Sequence, residues 1–407
     1  MLFNKKITRT VAVLLIVALT VLSMTACSFD FSVYPFDENI PGFGDNFGYG
    51  EQGNGNNGGN NDGAFPGFYP GSGQGGTDAV DPLSKALLST VTIVCNGKLT
   101  SSAGSGVIYS IDKAKGNAYI ITNQHVVYGE SNISVYLYGM HLSAYAIPAR
   151  FIGGSIGYDL AVLKIEDSEI IKNSYACAIN FADSEGIRVF DRVYAVGNSE
   201  GNGISATEGI VSVETEDIRI EGAGGNTVDM RVMRVDAAVN HGNSGGGLYD
   251  EQGKLVGIVA AKEVSEDIDN MGYAIPSNLV KSVVESILRY CDGTSVTQIR
   301  KAVLGITITS RVGGAMIDEN GKVYTVEQVE VVEVSKGAVA DGKVMVGDII
   351  KSITVDGVKC DVTRRYHVTD AMISAKEGSV VVLNLLRDGA DISVSFRISA
   401  SSLSVVK

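Results

Sequence analysis

Along most of the chain, apolar residues come in short runs broken by glycine-containing turns. In the stretch from about 84 to 181, runs at 91–94, 106–109, 119–121, 133–138 and 160–165 predict strands. A second series follows at 192–196, 209–213, 230–235 and 255–259. Between roughly 84 and 275 there is almost no long amphipathic period, which predicts a β-rich domain of two halves. A helix comes next: Ser277 is placed to N-cap it after Pro276, Val280, Val283, Val284, Ile287 and Leu288 form one apolar stripe, and Gly293 can end it. Residues 301–398 form a further strand-rich unit, with a helical stretch near 362–376 and a hairpin turn at Asp388-Gly389.

The N-terminal part departs from this pattern. Lys5, Lys6 and Arg9 precede an apolar run at 11–22, too short to span a bilayer comfortably but suited to a secretory signal. Ser23, Met24, Thr25 and Ala26 before Cys27 resemble a bacterial lipobox, with Met24 where that pattern prefers Leu. The expectation is a signal peptide over 1–26 and lipidation at Cys27; a cleaved secretory signal and an uncleaved signal anchor remain as alternatives. All three place the rest outside the cytoplasm. Residues 27–81 then show neither a period of 2 nor of 3.6, and 14 of the chain's 49 glycines fall between Pro41 and Gly76. Such a segment cannot offset its ordering entropy by burial, and it reads as a flexible tether. Its Phe43, Phe47, Tyr49, Phe65, Phe68 and Tyr69 leave two readings, a binding segment or a plain linker.

Composition narrows the choice. At 407 residues, 45% hydrophobic and 19% charged, the chain can bury two to three ordinary domains. A formal charge of −13 with no basic stripe argues against nucleic acid as a partner. Cys95, Cys177, Cys291 and Cys360 are too far apart in sequence for a metal motif or a dense disulfide scaffold; four buried free thiols are expected, with a single cross-link as the alternative.

The segment Asn240-His241-Gly242-Asn243-Ser244-Gly245-Gly246-Gly247-Leu248 carries the most chemistry. A nucleophilic serine needs exposure on a tight turn with backbone N–H groups free to meet an oxyanion, and the flanking glycines permit that approach. A phosphate loop is the competing reading, but the Lys and following helix of a P-loop are missing. A serine also needs a base and a group that orients it. Among four histidines, His125 follows the apolar run Ile120-Ile121-Thr122, and Asp159 precedes the run 160–165. The order His, Asp, Ser, with the first two in one half and the third in the other, fits a site between two β-barrels.

Together with Asp236-Ala237-Ala238-Val239 and Gly272-Tyr273-Ala274-Ile275-Pro276, and with Gly209-Ile210-Val211-Ser212 after Gly197-Asn198, these segments resemble the HtrA/Deg family of serine proteases. The resemblance covers about residues 84–400. It implies a mainly β fold: a chymotrypsin-like double β-barrel at 82–293, then one PDZ domain at 300–400, with no cofactor and no metal. Carried over, it makes Ser244 the nucleophile, His125 the general base and Asp159 its orienting acid, with the N–H groups of Gly242 and Ser244 as the oxyanion hole. Ala238, Ala260 and Ala261 fall at the S1 pocket, which disfavours Lys or Arg at the cleaved position and points to aliphatic residues. Leu304, Gly305 and Ile306 fall at a PDZ carboxylate loop. Two departures stand out: His241 and Gly247 occupy positions where the family usually has Pro, and both relax the turn beside the nucleophile. The implied function is ATP-independent peptide hydrolysis outside the cytoplasm, on misfolded or signalling proteins, with peptide C-termini bound by the PDZ domain. Family members commonly form homotrimers. A latent-triad binding protein and a regulatory protease with one membrane-protein substrate are the alternatives.

Overall fold

The computed structural model describes residues 80–96, 101–140, 143–221, 227–260, 271–291 and 299–406. The signal sequence, Cys27 and the tether lie outside the described residues, as do Ala261 and Gly293. A first helix, α1 (Pro82–Ser89), starts where Asp81 accepts the Ser84 N–H at 2.9 Å and Pro82 has no N–H to leave orphaned.

Six antiparallel strands then close the first barrel in the order β1-β2-β3-β6-β5-β4. They are β1 (Thr90–Asn96), β2 (Ser101–Asp112), β3 (Asn117–Thr122), β4 (Ile133–Leu137), β5 (Ile147–Ser155) and β6 (Leu160–Ile165), with the short helix α2 (Gln124–Val127) after β3. Period-2 alternation explains the closure. Val91, Ile93 and Cys95 point into the barrel and meet Val135, Ile120, Leu163 and Ile165 from the facing strands, while Thr92 and Val94 turn outward. Strand β3 stops at Thr122, where its apolar run ends, and His125 lies in α2. A helical turn α3 (Glu169–Lys172) leads towards the second barrel.

That barrel closes in the order β10-β11-β12-β9-β8-β7, from β7 (Arg192–Gly197), β8 (Ser205–Glu221), β9 (Thr227–Val235), β10 (Gly247–Tyr249), β11 (Leu255–Ala260) and β12 (Gly272–Pro276). Strand β11 is buried throughout because its two faces serve two cores. Val256 and Val259 face the barrel interior, and Leu255, Ile258 and Ala260 face the core between the barrels. Into that shared core the helix α4 (Ser277–Tyr290) presses Val280, Val283, Val284 and Ile287, the stripe its spacing predicts. The expected cap is not formed: Pro276 holds the N-cap position, and the Ser277 hydroxyl donates instead to the Ala182 carbonyl at 2.8 Å. Ser184, from the segment docked against the helix start, accepts the Asn278 N–H at 3.2 Å in its place.

The remaining strands are β13 (Arg300–Ala302), β14 (Ile306–Ile317), β15 (Val323–Val334), β16 (Ile349–Val355), β17 (Val358–Asp361), β18 (Val380–Arg387), β19 (Ala390–Arg397) and β20 (Leu403–Val405). They build a sheet in the order β14-β15-β16-β18-β19, with β17 added to β16 and β13 paired to β20. Helix α5 (Arg365–Ser374) covers the sheet and sends Val368 and Met372 into its core. At the β18–β19 hairpin Asp388 and Gly389 both take positive φ (49° and 80°), as a two-residue turn of this twist requires. The thiols depart from expectation: Cys95 is buried, but Cys177, Cys291 and Cys360 are only half-buried. Among the described residues no helix is long and apolar enough to cross a membrane.

Candidate active site

The acid–base pair is assembled within the first barrel. Asp159 sits in the tight turn between β5 and β6 at φ 48°, a left-handed conformation that Asp tolerates better than most residues. Its side chain is buried and receives two bonds from one residue: the His125 backbone N–H donates to Oδ1 at 3.0 Å, and His125 Nδ1 donates to Oδ2 at 2.8 Å. Asn123 adds a bond from its amide to the Asp159 carbonyl at 2.8 Å. A carboxylate on Nδ1 fixes the tautomer that leaves Nε2 as the free, basic nitrogen.

The serine loop comes from the second barrel, between β9 and β10. The backbone N–H of Ser105, on β2, donates to the Ser244 carbonyl at 2.8 Å, and a Cβ added to Gly245 would meet Thr122 Oγ1 and Asn123 N. The loop therefore lies against the strand end that leads into His125. Ser244 Oγ and His125 Nε2 make no hydrogen bond among the described residues; in unliganded sites such contacts are commonly open and tighten around substrate.

The orientation of the loop's peptide groups decides whether an oxyanion can be received. In a trans peptide the C=O and the next N–H point in opposite directions. The His241 carbonyl accepts the Glu200 N–H at 2.8 Å, and the Asn243 carbonyl accepts the Gly246 N–H at 2.9 Å. Both carbonyls are held away, so the N–H groups of Gly242 and Ser244 are left without an acceptor among the described residues. Gly242 adopts φ 91°, and a Cβ there would meet the Asn198 carbonyl at 2.1 Å, so only glycine fits.

The two departures at 241 and 247 do not slacken the turn. His241 is exposed, but its carbonyl is tied down by Glu200. Gly247 belongs to β10, paired with Val196 and Ile258, and a Cβ there would lie 2.4 Å from the Tyr249 ring. Tyr249 is fully buried, with its hydroxyl 3.0 Å from Thr90 Oγ1. The ring takes the volume a proline would fill.

Of the residues expected at S1, Ala238 is exposed and its carbonyl accepts the Thr207 hydroxyl at 2.9 Å; Ala260 is buried on β11. Burial pushes the Cys95 and Cys360 thiols up to about 11 and also raises Cys177, which makes these three poor nucleophiles.

In the third sheet, Leu304 is buried and Gly305 has φ 76°; neither N–H has a backbone acceptor among the described residues. The next strand, β14, is an edge strand with one side unpaired, and α5 packs near it. No sequence pattern marks what holds α5. The Tyr366 hydroxyl and His367 Nε2 contact Glu185 at 2.9 and 2.8 Å, Asp370 pairs with Arg231, and Arg365 pairs with Asp217 at 2.9 Å. Burial alone would raise the Glu185 carboxyl; His367, Arg231 and Tyr366 bring it below the usual carboxylate range. A cavity of about 410 Å³ opens beside this junction, lined by Thr215, Asp217, Ser310 and Arg365 among others. The parts played at the loop by the Glu200 N–H, on the His241 carbonyl, and by the Asn198 N–H, on Ser105 Oγ, are backbone contacts that no side-chain pattern marks.

The family described as "Trypsin-like peptidase domain" matches residues 104–258, which contain all three candidate triad residues. The Serine protease Do-like HtrA of Bacillus subtilis (strain 168) is 39% identical over 210 residues, 51% of this chain and 43% of that protein. The Periplasmic serine endoprotease DegP of Salmonella typhimurium is 33% identical over 307 residues, 74% of this chain and 58% of that protein. The chain thus spans about half the length of these curated relatives. A solved structure described as HtrA-type protease AlgW with tripeptide superposes with a TM-score of 0.52 at 29% identity, covering 79% of this chain and 96% of that one.

Proposed function

The chain belongs to the HtrA/Deg family of trypsin-like serine proteases, and from that premise we propose that it is an endopeptidase working through Ser244, His125 and Asp159. Ser244 Oγ attacks the scissile carbonyl carbon while His125 Nε2 takes its proton, and Asp159 stabilises the imidazolium. The carbonyl electron pair moves onto oxygen, which the N–H groups of Gly242 and Ser244 receive. Collapse expels the amine, which takes the proton from His125, and leaves an acyl-enzyme. Water, deprotonated by His125, then releases the acid and restores Ser244.

The observation that carries this reading is the pair of tied-back carbonyls at His241 and Asn243, which leaves both oxyanion donors unshared beside a formed His125–Asp159 pair. It favours an active enzyme over a latent-triad binding protein, in which the hole would be filled by the chain's own carbonyl. A small S1 site around Ala238, Ala260 and Ala261 favours cleavage after aliphatic residues. The 300–400 unit is a PDZ domain that receives a peptide C-terminus at Leu304, Gly305 and Ile306 and adds the peptide as a strand beside β14; the free N–H groups of Leu304 and Gly305 and the open edge support this. The enzyme works outside the cytoplasm, held by lipid at Cys27, on unfolded or signalling proteins.

Digestion of casein by the full chain and by Ser244→Ala tests the reading. Loss of cleavage in the variant alone is expected; equal cleavage by both proteins removes Ser244 from the mechanism, and intact casein in both favours the binding reading.

A further inference from the structure

Ser105 lies on β2 in the first barrel, fully buried, in the sequence Gly104-Ser105-Gly106. Nothing in the acid–base machinery uses it, yet each of its polar groups is spent at the junction with the serine loop. Its N–H donates to the Ser244 carbonyl at 2.8 Å, and its own carbonyl accepts the Thr122 hydroxyl at 2.7 Å. Its hydroxyl donates to the Gly242 carbonyl at 2.7 Å and accepts the Asn198 N–H at 2.8 Å. The hydroxyl thus joins three segments: the first barrel, the 198–203 turn and the oxyanion loop.

From this geometry we infer that Ser105 is a positioning residue for the oxyanion hole, acting through Gly242. The inference rests on the proteolytic reading above. Gly242 has no Cβ and therefore little intrinsic preference for the φ of 91° it adopts. Its conformation is set by anchoring the peptide on each side. The peptide before it is anchored by Glu200 N–H on the His241 carbonyl, at 2.8 Å. The peptide after it is anchored by the Ser105 hydroxyl on the Gly242 carbonyl. The other end of that peptide, the Asn243 N–H, donates to the Asn240 carbonyl at 3.1 Å, so removing the Ser105 bond leaves the peptide after Gly242 on this one longer contact and loosens the aim of the Gly242 N–H. The Ser105 backbone N–H, which alanine keeps, still holds Ser244 in place. The hole should therefore lose its aim while the nucleophile keeps its position.

The test compares Ser105→Ala with Ser277→Ala in the full chain. Ser277 is a matched control, because its equally buried hydroxyl makes a single bond to the Ala182 carbonyl in the helix α4 start. Kinetics use a fluorogenic peptide, and binding uses a peptide aldehyde. Ser244 adds its O–H across the aldehyde, and the resulting hemiacetal oxygen sits in the hole. For Ser105→Ala, kcat should fall on the order of 10- to 100-fold with KM unchanged, and aldehyde affinity should fall by a similar factor. Ser277→Ala should keep both. If Ser105→Ala retains kcat and aldehyde affinity, or loses no more than the Ser277 variant, the inference is overturned. Should the alanine variant not fold, Ser105→Cys keeps a weaker donor and carries the same test: an intermediate kcat at constant KM supports the role, and a wild-type kcat refutes it. Wild type and Ser244→Ala run alongside; an inactive wild type counts against the proteolytic reading itself, not against Ser105.

Discussion

The two halves of the active site are held in different ways. In the first barrel, His125 and Asp159 are fixed by side-chain bonds between residues close to the ends of adjacent strands, β3 and β6. In the second barrel, the serine loop is fixed almost wholly through its backbone: its carbonyls accept from Glu200, Gly246 and Ser105, and its Asn243 and Gly245 N–H groups donate to the Asn240 and Val259 carbonyls. The contrast separates two kinds of precision. A hydrogen-bonded acid–base pair is orientated by its own chemistry, whereas a row of glycines has no preferred shape and must borrow one from its neighbours. The first kind is sensitive to a change of charge, and the second to a change of packing.

That contrast can be broken at several strengths. The harshest is Ser244→Ala, expected to lower kcat on the order of 10⁶-fold in a peptide assay. Asp159→Asn keeps the shape of the first half and removes its charge; a fall on the order of 10⁴-fold is expected, with the fold intact by circular dichroism. Retained activity there would mean that hydrogen bonding without charge is enough. Gly247→Ala probes the second half by packing: its Cβ runs into the Tyr249 ring, and a loss of about 1–3 kcal/mol in chemical denaturation is expected. An unchanged midpoint would show that the ring is free to move aside.

The mildest test asks whether charge-held geometry elsewhere shares the first half's sensitivity. In the third sheet Asp348 is buried, which opposes its ionisation. Arg387, at 2.6 Å from each carboxylate oxygen, and the Met345 N–H outweigh burial and hold it below the ordinary 3.8. A folded-state pKa below the unfolded one gives stability that is present above the unfolded value and lost as pH falls through the folded value. Protection factors of the β16 and β18 amides, which correct for the slower intrinsic exchange in acid, should therefore fall below about pH 4 in wild type, with a flatter acid response in Asp348→Asn. An identical acid profile in both proteins would contradict the assignment.

How much of this the sequence carried follows the same division. Strand alternation and the stripe on α4 were readable because period and burial are local properties, and Asp388-Gly389 was readable because its turn demands positive φ. His125, Asp159 and Ser244 were recognisable as residue types in an order. The ties that shape the loop were not, since Glu200, Gly246 and the Ser105 N–H act through backbone groups that carry no side-chain signature. Gly247 reads as slack because glycine, unlike proline, does not fix φ; only the folded strand puts the ring of Tyr249, two residues on, in the missing side chain's place. The misplaced cap at Ser277 has a similar origin, its acceptor Ala182 lying 95 residues away.

The most direct test of the central claim is mass spectrometry of the full chain after treatment with a fluorophosphonate, which phosphonylates an activated serine. One adduct at Ser244, absent from Ser244→Ala and strongly reduced in His125→Ala, is the result expected of a nucleophile deprotonated by His125 beside a formed oxyanion hole. Labelling at another serine, or equal labelling without His125, would contradict it.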